Sequence, residues 1–180
     1  TYYIQLTDAN GCSTIQAVNV VVNPLPNLVI TDPAAVCSPN TVDLTAAAVT
    51  AGSDAGLLGY WMDAAATFPL GMASMVGSSG TYYIQLVYAN VCTTIQAVNV
   101  TINPLPNLVI TDPVGVCSPG TIDITAAAVT AGSDAGTLTY WANAGATIPL
   151  GGPNTVGSTG TYYIQLDVLG CISIQPVNVT

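Results

Sequence analysis

From residue 81 the chain reads TYYIQLVY, in which Tyr82, Ile84 and Leu86 alternate with Tyr83 and Gln85. A period of two is that of a β-strand with one face turned inward. The same pattern, broken by turn residues, runs through 25–104. NLVIT (27–31) is predicted as a first strand, stopped by Asp32-Pro33 because proline cannot donate to a ladder. TVDLTAAAV (41–49) sets Val42, Leu44 and Ala46 against Asp43 and Thr45 and predicts a second strand, followed by a loop at TAGSDAG (50–56). LLGYWMD (57–63) is a third, joined through ATFPLG to a short strand at ASMV (73–76) and a turn at GSSG (77–80). After TYYIQLVY, a turn at Ala89-Asn90 leads to the last strand, CTTIQAVNVTIN (92–103). About seven short strands at regular spacing, with no helical period, predict an all-β sandwich.

The pattern then returns. TIQAVNV recurs at 14 and 94, NPLPNLVITDP at 23 and 103, and TAAAVTAGSDAG at 45 and 125. Trp61 and Trp141 are 80 residues apart, as are Cys37 and Cys117, and Cys12 and Cys92; Cys171 follows Cys92 by 79. This period is longer than the roughly 20–50 residues of solenoid repeats and suits a self-sufficient sandwich strung in tandem. The cut is expected at NPLPN (23–27 and 103–107), where the prolines fix φ, remove backbone donors and favour a semi-rigid connection. The expected organisation is 1–24 as the last two strands of a truncated repeat, 25–104 as a complete one, and 105–180 as a second. TYYIQL at residue 1 is then mid-domain, and the chain is expected to be a window on a longer array.

Composition narrows the chemistry. Among 180 residues there is no Lys, Arg or His, and the formal net charge is -9. Such a chain forms no side-chain ion pairs, so stability must come from apolar burial and hydrogen bonds. It cannot neutralise phosphates, which argues against nucleic acid and anionic membrane surfaces. Hydrophobic residues make up 51%, but Thr, Asn, Pro and Gly divide them into runs far shorter than the roughly 18 of a membrane span. No membrane insertion is expected.

At the YW of the third strand and the GTYYI opening the sixth, the unit resembles an immunoglobulin-like domain, with Trp61 and Trp141 at the strand-C tryptophan. Tyr82 and Tyr162 take the place of the corner tyrosine. The positions that hold the inter-sheet cysteines in antibody domains carry Leu44 and Ile84. The stretches PAAVCSPNTVDLTAAAVTAGSDAG, YWMDAAAT and TYYIQLTDANGC are similar to the Ig-like repeats of giant Bacteroidota surface proteins, including gliding-motility adhesins exported by the type IX system. This resemblance implies an extracellular, cell-surface setting and an adhesive or spacer role.

Cys12, Cys37, Cys92, Cys117 and Cys171 are disulfide candidates, and their odd number leaves one to pair elsewhere. In an Ig-like sandwich, strands B and F run the same way, so Cys37 and Cys92 would lie about seven residues out in opposite directions. That is roughly 20 Å at ~3.3 Å per residue, against the ~7 Å Cα separation a disulfide allows. Three outcomes stay open: an interdomain staple bringing Cys37 to Cys171, an intradomain Cys37–Cys92 bond with the first strands rearranged, and free or interchain thiols. No CxxC pair and no histidine supports a metal centre.

Other chemistry is sparse. A Ser or Cys nucleophile has no His or Lys as base, so no enzyme is expected; without lysine, no isopeptide bond can form. Asp8 with Asn10, and Asp54 with Asp63, offer oxygen ligands for structural calcium, but no EF-hand spacing exists and Asx residues suit turns anyway. Asn99-Val100-Thr101 and Asn178-Val179-Thr180 match the glycosylation sequon inside a predicted strand. Tyr60, Trp61, Tyr82 and Tyr83 are expected in the core rather than on a sugar platform.

The function expected from these residues is a structural stalk or filament segment of an extracellular adhesin. Its partners would be neighbouring repeats of the same long chain. Two alternatives are a multivalent module binding surface glycans and a fibre of laterally associated like chains.

Overall fold

The computed structural model describes residues 1–88 and 92–180, so the turn expected at Ala89-Asn90 lies outside the described residues. These form ten strands: β1 (Tyr2–Thr7), β2 (Ser13–Val18), β3 (Val36–Cys37), β4 (Leu57–Trp61), β5 (Gly80–Val87), β6 (Thr93–Val100), β7 (Ile102–Asn103), β8 (Thr137–Trp141), β9 (Gly160–Val168) and β10 (Cys171–Val179). The protein is all-β, built of several small sheets. It forms two compact units, one of Thr1–Thr31, Ala46–Gly71 and Thr81–Val98, the other of Asp32–Thr45, Met72–Gly80 and Asn99–Thr180.

In the first unit, β1 and β2 form an antiparallel hairpin from Tyr2↔Val18 to Thr7↔Ser13. Both of its faces are open: Tyr3 is 71% and Ile4 64% exposed. β4 runs antiparallel to β5, from Leu57↔Val87 to Trp61↔Tyr83, and β5 lies between β4 and β6. Here the alternation works as the sequence implies, with Ile84, Leu86 and Val98 buried.

The segment 27–31, expected as a strand, joins no ladder. Loop side chains take its backbone groups instead. Asn27 N donates to Asp54 Oδ2 at 2.7 Å, and Val29 N to Ser53 Oγ at 2.9 Å. Ser53 Oγ donates back to Val29 O at 3.1 Å. Thr31 N donates to Val49 O at 2.9 Å. Only Leu28 of this stretch is buried, beside Pro26, whose carbonyl accepts from Thr94 Oγ1 at 2.7 Å. The proline-rich connection is thus partly docked.

In the second unit, β9 is the centre of a three-stranded antiparallel sheet between β8 and β10, registered Tyr140↔Ile164 and Gln175↔Ile164. Leu108, Ile122, Ile124, Val129, Val156, Ile164, Leu166, Val177 and Val179 form its core. Sequence alternation foresees a strand through 41–49, but only Val42 makes a bridge, to Val76. The cause is local: Asp43 Oδ1 accepts from Thr45 N at 2.7 Å and from Thr45 Oγ1 at 2.6 Å, turning the chain after Leu44. Asp123 does the same to Thr125. Such Asx turns compete with a ladder because the side chain supplies the bond locally. The strand expected at 73–76 likewise reduces to Val76, after a turn closed by Met75 N to Met72 O.

Candidate functional site: a cysteine junction

The chain's five cysteines give it thiol and disulfide chemistry. Cys37 ends β3, a two-residue strand that pairs in parallel with β7, Val36↔Ile102 and Cys37↔Asn103. Three backbone bonds fix it: Val36 N to Thr101 O at 3.2 Å, Ser38 N to Asn103 O at 2.8 Å, and Asn40 N to Cys37 O at 2.9 Å. Cys37 is joined to Cys171 with Cα atoms 5.5 Å apart, across 134 residues of sequence. Cys171 opens β10 opposite Val168 and is 1% exposed. Its approach to Cys37 is set by the Asp167–Cys171 turn, where Gly170 takes φ 81° and donates from its backbone to Asp167 Oδ1 at 2.9 Å. Gly170 O stands 3.6 Å from Cys37 Sγ, a contact rather than a hydrogen bond because a disulfide sulfur carries no proton.

Cys12, Cys92 and Cys117 are free thiols. Cys92 closes its hairpin through Tyr88 N to Cys92 O at 3.0 Å and is half-buried. Cys12 does so through Asp8 N to Cys12 O at 2.9 Å and is exposed, as is Cys117. The intradomain Cys37–Cys92 pairing weighed from sequence is therefore absent. The element that positions Cys37 is the short parallel pair, and no sequence signal marks it because two residues carry no period.

The remaining singled-out residues are structural. Leu44 is 1% and Ile84 0% exposed. Tyr162 OH donates to Ser158 O at 3.1 Å, the four-residue reach of a tyrosine corner. Trp61 and Trp141 end β4 and β8, opposite Tyr83 and Tyr163. Trp141 Nε1 donates to Thr139 Oγ1 at 3.0 Å, whereas the buried Nε1 of Trp61 has no partner. Tyr60, Trp61, Tyr82 and Tyr83 are half-buried strand residues.

The carboxylates weighed for calcium serve the backbone. Asp8 Oδ1 accepts from Asn10 N and Cys12 N, both at 2.9 Å. Asp63 Oδ1 accepts from Phe68 N at 2.7 Å and Thr67 N at 3.0 Å, and this capping, the Phe68 bond foremost, lowers its carboxyl pKa from the ordinary value. Asp54 is engaged by Asn27 as above. Among the described residues no three Asp, Cys, Glu or His side chains gather into a metal-binding group. The sequon amides are also committed: Asn99 Nδ2 donates to Asp32 Oδ2 at 3.1 Å and Asn178 Nδ2 to Asp112 Oδ2 at 3.0 Å.

No protein-family model matches the chain, and no curated protein matches it in sequence. Among solved structures it is similar to extracellular domains 3–5 of Drosophila OTK, at 10% identity and a TM-score of 0.46 over 99% of this chain and 69% of that one. It is also similar to the insect immune protein hemolin, whose structure is described as having implications for homophilic adhesion. There the identity is 11% and the TM-score 0.39 over 99% of this chain, which spans 55% of hemolin.

Proposed function

We propose that this chain is a structural segment of an extracellular cell-surface protein, a stalk or filament of tandem Ig-like domains without catalysis. The observation that carries this reading is the Cys37–Cys171 bond, which links the sequence repeat at 25–104 to the one at 105–180 inside the second compact unit. Two tandem copies covalently joined outside the peptide backbone resist separation. A persistent disulfide also belongs to an oxidising compartment, which favours an extracellular or surface location. The corner bond of Tyr162 and the strand-borne Trp61 and Trp141 support Ig-like domains at 25–104 and 105–180. In this reading 1–24 carries the sequence of the last two strands of the repeat. The lack of Lys and Arg denies trypsin-like proteases a site. The sequence resemblance to Bacteroidota adhesin repeats points the same way, with neighbouring repeats as the partners.

Small-angle scattering of the oxidised and reduced chain, with a glycan array run in parallel, tests the reading. An extended particle that loosens on reduction and captures no glycan is expected. A profile indifferent to reduction, or specific glycan capture, overturns it.

A second reading, lateral association of like chains, is favoured by the β1–β2 hairpin, which leaves Tyr2, Tyr3, Ile4, Leu6 and Ile15 exposed. Sedimentation under reducing conditions tests it. A mass that rises with concentration supports it, and a constant monomer mass removes it.

A further inference from the structure

The bonded pair Cys37–Cys171 has an unbonded counterpart within the same chain. The segment around Cys117 repeats part of the build around Cys37, without the parallel strand pair: Val116 N donates to Thr180 O at 3.3 Å and Gly120 N to Cys117 O at 2.8 Å, matching the Val36 and Asn40 bonds. The thiol there is exposed. Beside it lies a cavity of about 120 Å³ lined by Val116, Ser118, Gly120, Val156, Val179 and Thr180.

The other half of the pair also recurs, once faithfully and once not. Cys12 follows Gly11 at φ 83°, as Cys171 follows Gly170 at φ 81°. Asp8 stands four residues before Cys12 and accepts its backbone N–H, and Asp167 stands four before Cys171 and accepts from Gly170. Before Cys92 the sequence has Tyr88 in place of the aspartate and Val91, outside the described residues, in place of the glycine, and Cys92 is half-buried. A β-branched residue is disfavoured at the positive φ that brings the glycine of the bonded turn against its partner sulfur.

We propose that Cys117 is a coupling site for a second copy of this chain, and that it accepts Cys12 of that copy in the manner of Cys37 and Cys171. The reaction is thiol–disulfide exchange. One thiolate attacks a small-molecule disulfide or a disulfide oxidoreductase, forming a mixed disulfide and releasing one thiol. The second thiolate then displaces the other sulfur. The Cys117–Cys12 bond forms, the oxidant leaves as two thiols, and the protein loses two protons and two electrons. Each chain carries one site of each kind, so coupling continues into multimers. The coupling stands apart from the stalk reading: scattering of the monomer tests that reading, and covalent linkage tests this one.

The experiment uses the 180-residue chain with Cys37–Cys171 intact, treated with oxidised glutathione and separated on a non-reducing gel. A ladder of multimers is expected, with non-reduced peptide mapping dominated by Cys117 joined to Cys12. Two variants give the decisive arm. One carries Cys117→Ser and Cys92→Ser and keeps Cys12; the other carries Cys12→Ser and Cys92→Ser and keeps Cys117. Each alone stays monomeric, and an equimolar mixture becomes mostly heterodimer. All three substituted cysteines are free thiols, and circular dichroism of each variant verifies the fold. No heterodimer, equal homodimer formation, or linkage mainly through Cys92 overturns the proposal.

Discussion

Trp141 Nε1 donates to Thr139 Oγ1, while its counterpart Trp61 buries the same donor without a partner because position 59 is Gly59. A buried N–H left unmatched costs about 1–3 kcal/mol. Thr139→Val keeps the branched shape and removes the acceptor, so the second copy is expected to lose about 1–2 kcal/mol. Urea denaturation followed by tryptophan fluorescence reads the loss. An unchanged midpoint would show that the hydroxyl is energetically idle.

The converse change, Gly59→Thr, supplies the missing acceptor. A Cβ at 59 would meet Trp61 Nε1 at 2.9 Å, so the indole must shift. The second copy accommodates threonine at this register, and β4 gains a residue better suited to a strand. The expected result is a stability gain of about 1 kcal/mol, read from the same denaturation curve.

Reducing the Cys37–Cys171 bond releases a long loop in the unfolded chain. Closures of this size contribute about 2–5 kcal/mol, and loss of that order is expected in the double variant Cys37→Ser with Cys171→Ser. Thermal melts with and without reductant check it. Reductant should lower the melting temperature of the parent and leave that of the double variant unmoved.

Acid should weaken the fold through particular carboxylates. The backbone N–H of Asn178, then its side-chain amide, hold the Asp112 carboxyl below its ordinary value, and Asn99 does the same to Asp32. The Asp123 carboxyl is lowered chiefly by the Thr125 hydroxyl. A depressed folded-state pKa means that the stabilisation is complete above the unfolded value of about 3.9 and is lost as pH falls through the folded one. Protonation also relieves repulsion among the nine carboxylates, which added salt screens out. At high salt the urea midpoint should be flat from neutral pH to about 5 and fall below about 4. Asp112→Asn should flatten that fall, and a midpoint rising on acidification would contradict the assignment.

Much of this was legible in the chain. Alternation places Ile84, Leu86 and Val98 in the interior, and the 80-residue period pairs β4 and β5 with β8 and β9. Val42 and Leu44 are buried as alternation implies, yet they belong to no extended strand, because Asp43 spends its carboxylate on Thr45. Periodicity reports which side chain faces inward; it does not report where a backbone N–H finds its acceptor. For the same reason 27–31 reads as a strand although Ser53 and Asp54 occupy its donors. The cysteines could be enumerated from sequence, but their pairing rests on a two-residue parallel bridge and a glycine turn that no pattern announces.

That occupied edge at 27–31 has a consequence for life in a crowd of copies. A bare strand edge is an invitation to any chain with the same sequence, and tandem repeats hold such chains at high local concentration. The N–H groups of Asn27, Val29 and Thr31 point to one side and are already matched by Asp54, Ser53 and Val49. A neighbour arriving along that side finds these donors already taken, so a second chain of the same sequence has no ladder to begin there.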